Sequence, residues 1–168
     1  MRLMGNVMKT EKLILDPCCG SRMFWLDKQN PHVLYCDNRM VCDTLSDGRQ
    51  LIIRPDMIAD FTALPFEDET FAHIVFDPPH LIHGGNNSWL VKKYGLLPND
   101  WRSYLRAGFD ECYRVFKTTG VLIFKWSEYQ IPVREIVKVI GRDYLYGHPS
   151  GKAMKTHWLC FMKLPEGG

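Results

Sequence analysis

Ala72-His73-Ile74-Val75-Phe76-Asp77-Pro78-Pro79-His80 is the stretch on which the reading of this chain turns. Residues 73–76 predict a short buried strand, because Ile74, Val75 and Phe76 favour extended backbone and stop abruptly at two prolines. Consecutive prolines cannot continue a hydrogen-bonded ladder, so the chain must leave the sheet at Asp77. A carboxylate, a stiff turn and an imidazole are thereby set at the carboxyl end of a strand. In open α/β sheets that edge is where ligands bind.

The residue types in this turn suit one kind of chemistry. An amine attached to an aromatic ring has a delocalised lone pair and is a poor nucleophile. Accepting its two N–H groups, one at an Asp77 carboxylate oxygen and one at the Pro78 carbonyl, makes the nitrogen more tetrahedral and aims the lone pair at a donor. The Pro78-Pro79 pair fixes that carbonyl in advance, and His80 can stack on the target ring. The plain alternative is a surface turn after an ordinary strand. The stretch resembles the catalytic motif of class I S-adenosylmethionine-dependent amino-methyltransferases, in which Asp, Asn or Ser is followed by two prolines and an aromatic residue or His.

Upstream, Lys12 to Asp16 predicts a first strand, Met23 to Gln29 a helix anchored by Met23, Trp25 and Leu26, and Val33 to Asp37 a second strand. Strand, glycine-containing turn, helix, strand and acid follow the order of a nucleotide-binding βαβ unit, with Asp37 placed 21 residues after Asp16. Only Gly20 of a dinucleotide fingerprint is present, and a cofactor without pyrophosphate needs no full phosphate cradle. The turn Asp16-Pro17-Cys18-Cys19-Gly20-Ser21-Arg22 resembles motif I of the same methyltransferases. The resemblance implies that Asp16, Pro17, Cys18 and Gly20 hold the methionine part of S-adenosylmethionine and Asp37 its ribose. Arg22 stands where the family often has a second glycine, so either a close backbone approach is lost or Arg22 joins the carboxylate contact. Residues 43–51 predict a turn or short helix, and a weak strand is expected to end at Asp60. The resemblance gives Asp60 the adenine amine of the cofactor; the local alternative is a cap on a turn. Order favours the site, since Asp16, Asp37, Asp60 and Asp77 each close a predicted strand.

Downstream, Leu81 to Asp100 shows no clean periodicity, and long irregular loops in compact domains tend to be lids. Gly84-Gly85-Asn86-Asn87 offers hinges, while Trp89, Lys92, Lys93 and Tyr94 suit gripping a nucleic-acid backbone and stacking on bases. A solvated loop is the alternative. Trp101 to Phe116 and Val133 to Ile140 predict amphipathic helices, the second closed by Gly141. Val121 to Trp126, Tyr144 to Tyr146 and Trp158 to Met162 predict strands. Over residues 12–163 this order resembles the Rossmann-like seven-stranded sheet of class I methyltransferases, mostly parallel with an antiparallel C-terminal strand.

At 168 residues, 46% apolar and 24% charged, the chain is expected to form one methyltransferase domain over 1–168, with residues 1–11 an irregular arm. A formal charge of +2 announces no bulk nucleic-acid binder, so any such surface must be local. No signal-peptide core or membrane-length apolar run is present, which predicts a cytoplasmic protein. The six cysteines show no CxxC pairing, so reduced thiols and no metal site are expected. Pro17-Cys18 superficially offers the nucleophile of a carbon-5 cytosine methyltransferase, but it occupies the cofactor turn, and the catalytic strand end carries no thiol. The function expected is N-methylation of an exocyclic amine, adenine in DNA or RNA above all. Alternatives are a protein or small-molecule amine, or a catalytically inactive partner subunit that binds the cofactor. With no room for a separate recognition domain, either the lid and the C-terminal loop read a short or structured target, or a protein partner confers specificity.

Overall fold

The computed structural model describes residues 8–85 and 88–165; most of the expected N-terminal arm, and Asn86 and Asn87 of the expected hinge, lie outside them. Nine strands and three helices follow along the described residues: β1 (Ile14–Asp16), β2 (Val33–Asp37), β3 (Val41–Thr44), β4 (Gln50–Ile53), β5 (Met57–Ile58) and β6 (Phe71–Phe76). After these come α1 (Trp89–Tyr94), α2 (Trp101–Val115), β7 (Phe116–Ser127), α3 (Val133–Ile140), β8 (Tyr146–Ser150) and β9 (Thr156–Met162). Seven of the strands form one sheet in the order β5-β2-β1-β6-β7-β9-β8. β9 enters antiparallel between β7 and β8, and the pairs from β5 to β7 are all parallel. Chain order reverses between β1 and β6, which opens a crevice at their carboxyl ends.

Alternation along the strands divides the core in two. Leu15, Ile74, Phe76, Leu122, Phe124, Trp126, Leu159 and Phe161 share a buried cluster with Leu105, Phe109 and Cys112 of α2 and Ile136 and Ile140 of α3. On the other face Val33 and Tyr35 pack with Cys19 and Trp25 from the β1–β2 connection. α3 stops where expected: Gly141 takes φ +64°, and its N–H caps the Val137 carbonyl.

Four expectations are corrected. Met23 to Gln29 forms no helix but a run of turns. Met23 is 65% and Leu26 97% exposed, while Phe24 and Trp25 turn sideways onto Trp158 and Tyr35. The turn is closed by side chains instead: the Asp27 carboxylate accepts the Gln29 N–H, and Arg22 donates to the Lys28 carbonyl. Residues 43–51 belong to the β3–β4 hairpin, which buries Leu45, Leu51 and Ile53 in a cluster of its own. Its turn depends on Gly48 at φ +82°. The loop after His80 contains the short helix α1. The strand expected at Tyr144–Tyr146 begins at Tyr146 and runs through Pro149, which the edge position of β8 tolerates.

The connection from β5 to β6 is also irregular, and α2 holds it. Arg114 donates to the carbonyls of Leu64 and Phe66 and pairs with Asp68 and Glu111, while the Glu111 carboxylate accepts the Leu64 N–H. One cation thus satisfies backbone groups that a crossover helix would have paired internally.

Candidate active site

Parallel pairing in register brings the ends of β1, β2 and β6 to one edge. Asp16 and Asp37 are the last residues of β1 and β2, and Asp77 is the first residue beyond β6. All three face a cavity of about 90 Å³, and so do Pro17, Cys18 and Gly20 of the first turn, Pro78 and Pro79, and Lys93 and Tyr94. The fold thus brings most of the expected site residues to one cavity from segments far apart in the chain. A larger cavity of about 630 Å³ lies beyond the same turn, against Arg22, Lys28 and Arg54, and faces none of these three acids.

The first turn is built around the two acids. Gly20 takes φ +52°, and a Cβ there would meet nothing, so its backbone is open to a ligand. Its N–H donates to Asp37 Oδ2 at 2.9 Å. The other Asp37 oxygen accepts from the Arg39 N–H at 3.0 Å and its Nε at 3.2 Å. Asp16 is only 3% exposed; it accepts from Trp25 Nε1 at 2.7 Å and from the Cys18 N–H. Burial pushes its carboxyl up to about 7 against these hydrogen bonds, and the charges of Asp77 and Asp37 push the same way. Asp37 is ion-paired with Arg39, and Asp16, raised to about 7, is only partly ionised at neutral pH.

Arg22 keeps the glycine-like backbone at φ +57° but sends its side chain away from the acids. Its guanidinium lies 3.8 Å over the Tyr35 ring, pairs with Asp56 at 2.9 Å and donates to the carbonyls of Lys28 and Arg54. Arg22 is thus a strut between the turn and the start of β5, not a carboxylate contact.

On the other side of the cavity Asp77 Oδ2 receives Lys125 Nζ at 2.8 Å, a pair that local sequence did not disclose. Lys125 follows Phe124 on β7, the register partner of Phe76, so it stands beside Asp77. Phe24 and Trp158 flank it. His80 does not line the cavity; it packs between Tyr94 at 5.2 Å and Trp126 at 6.3 Å. Burial holds its imidazole below the usual range, so the ring is neutral at pH 7.

The helix α1 is docked over the site from outside. Lys92 pairs with Asp43 of the hairpin at 2.8 Å, and Arg49 lies 5.4 Å from the Trp89 ring, so neither Lys92 nor Trp89 reaches the cavity. Lys93 does, with its ammonium 5.0 Å from the Tyr94 ring. Arg39 also donates to the carbonyls of Lys92 and Lys93, joining Asp37 to the end of α1. Asp60 stands apart from the lining, where its Oδ1 accepts from the Thr62 N–H and hydroxyl, the local turn-capping arrangement. Burial, then the Asp16 charge, drives the Cys18 thiol far above the usual range, which disfavours the thiolate.

No protein-family model and no curated protein sequence matches the chain. Its fold is nevertheless shared with solved structures. An S-adenosylmethionine-dependent methyltransferase from Methanosarcina mazei superposes with a TM-score of 0.55 over 96% of each chain, at 12% identity. A protein from Pyrococcus horikoshii gives 0.49 over 89% of this chain and 81% of its own, at 14% identity. Strand order and the first of these likenesses establish the Rossmann-like, seven-stranded fold of class I methyltransferases.

Proposed function

We propose that the chain is an S-adenosylmethionine-dependent N-methyltransferase whose acceptor is an amine on an aromatic ring, adenine in DNA or RNA being the best fit. The observation that carries this reading is Asp77, followed by the fixed carbonyl of Pro78, facing the same cavity as Gly20, Asp16 and Asp37. S-adenosylmethionine supplies an electrophilic methyl group and carries both an ammonium and a sulfonium, which suit an edge lined by three carboxyl groups. Asp16 and the open Gly20 backbone suit its methionine part, and Asp37 its ribose hydroxyls. Asp77 and the Pro78 carbonyl hold the acceptor amine by its two hydrogens and face the positive charge that grows on nitrogen. At about 90 Å³ the cavity is smaller than the several hundred that ligand sites usually need, so α1 must yield to admit the cofactor. A base in a duplex must be turned out of its stack to reach Asp77.

Transfer of a labelled methyl group, with DNA, RNA and protein offered in parallel, tests the class of acceptor. Label in nucleic acid is expected. Label in protein alone would favour the second reading, and tight cofactor binding with no transfer would favour an inactive partner subunit.

Two variants probe the halves of the site. Asp37→Asn keeps one acceptor for the Gly20 N–H but loses the charged acceptor for ribose and for Arg39, so S-adenosylmethionine affinity in calorimetric titration should fall by about 1–3 kcal/mol. Unchanged affinity in a folded variant would remove Asp37 from the cofactor contact. Lys93→Ala should weaken binding to all oligonucleotides alike and lower the salt slope by about 1. Lys92→Ala should do less, because Lys92 is already paired with Asp43. If Lys93→Ala leaves both the affinity and the slope alone, α1 does not grip the nucleic-acid backbone.

A further inference from the structure

The Lys125–Asp77 pair is the contact at this edge that amine methylation does not use, and it stands where the amine must go. The two side chains are 27% and 28% exposed, and Asp77 is the only ion-pair partner of Lys125 among the described residues. Around the same ammonium stand two aromatic faces, the Phe24 ring at 5.9 Å and the Trp158 ring at 5.7 Å. The rings lie 5.3 Å apart, tilted by 52°, and Trp158 is anchored by donating its Nε1–H to the Ser150 hydroxyl at 2.8 Å. A carboxylate with two aromatic walls is an amine-binding slot. In the free protein the amine in it is the chain's own.

Both nitrogens cannot use Asp77 well at once. As the acceptor nitrogen becomes positive, an ammonium a few ångströms away repels it and cancels the field of the carboxylate. Lysine has a flexible four-carbon stem and a strongly hydrated head, so it can withdraw to water without dragging the strand. We infer that Lys125 is the resident occupant of the acceptor slot, neutralising Asp77 until an acceptor amine displaces it and its ring is taken up against Phe24 and Trp158. The inference rests on the amine-methylation reading above. It makes Lys125 a determinant of specificity: an amine carried on a ring gains both aromatic faces on displacing it, whereas an isolated ammonium gains little.

Steady-state transfer to an adenine-containing oligonucleotide, with wild type, Lys125→Met, Lys125→Gln and Lys125→Arg, decides the matter. S-adenosylhomocysteine titration serves as the check on folding and on the cofactor half. Removing the competitor should lower KM for the oligonucleotide about fivefold in the Met and Gln variants, the counterpart of about 1 kcal/mol for a partly exposed pair. Arg, which keeps the charge and donors, should keep the wild-type KM. A KM that is unchanged or higher in both neutral variants overturns the inference while leaving the amine-methylation reading in place. A kcat that falls with no fall in KM does the same, since Lys125 would then be aiding the transition state. If wild type transfers no methyl group to any nucleic acid, the underlying reading fails and the slot falls with it.

Discussion

Asp77→Ala should slow single-turnover methyl transfer by about 100-fold or more, the scale of losing a preorganised transition-state partner. Asp77→Asn should fall between Ala and wild type. The amide is nearly isosteric, so the Pro78-Pro79 turn survives and one acceptor for the amine remains. What it lacks is negative charge facing a nitrogen that becomes positive as the methyl group arrives. That loss falls on the transition state, so turnover drops while cofactor affinity holds. Neither variant can ion-pair with Lys125, but that partly exposed pair is worth little to stability. Rapid-quench kinetics rank the three proteins. An Ala variant with wild-type turnover would remove Asp77 from the chemistry.

Asp16 should make the folded protein less stable as pH rises. Its carboxyl is raised to about 7 by burial, above the ordinary 3.8 that it regains on unfolding. Between those values the folded chain holds a proton that the unfolded chain has released, so stability falls with pH across this interval. The contribution is fully present below pH 3.8 and is lost as pH passes 7. The loss is roughly 4 kcal/mol at 1.36 kcal/mol per pH unit. His73 and His80, held below the ordinary 6.5 by burial, act in the opposite sense below that pH. The comparison that isolates Asp16 is therefore urea unfolding of wild type and Asp16→Asn across pH 4 to 8. The gap between the two should shift in favour of Asn with rising pH. Parallel curves would mean that Asp16 is ionised throughout.

The sequence disclosed what local patterns control. Pro78-Pro79 ends β6 wherever the rest of the chain goes, β2 is a run of five buried residues closed by Asp37, and Gly141 ends α3. Met23, Trp25 and Leu26 misled because their spacing matched a helix, whereas Arg22 and Asp27 close the segment with side-chain bonds that leave Leu26 in water. The β3–β4 hairpin was signalled by Asp47-Gly48 and by Leu51 and Ile53 on one face, but its strands of four residues each are too short to stand out. Lys125 and Arg39 were missed for another reason. Asp77 lies 48 residues from Lys125, and the Lys92 carbonyl lies 53 from Arg39, so only sheet register and the docking of α1 create those contacts. A cation in a strand otherwise as apolar as Val121 to Trp126 was the available signal for Lys125. Asp60 shows the converse, since the bonds to Thr62 are readable locally while its place outside the cavity lining is not.

The most direct test of the account is the chemical position of the transferred methyl group. Mixed DNA and RNA are incubated with the wild-type protein and isotopically labelled S-adenosylmethionine, digested to nucleosides and separated by mass spectrometry. An amine held by Asp77 and the Pro78 carbonyl predicts label on the exocyclic nitrogen of adenine, accumulating about 100-fold or more slowly when Asp77→Ala replaces wild type. Label on carbon 5 of cytosine or on a ring nitrogen, or label on adenine that accumulates at the wild-type rate in Asp77→Ala, would contradict it.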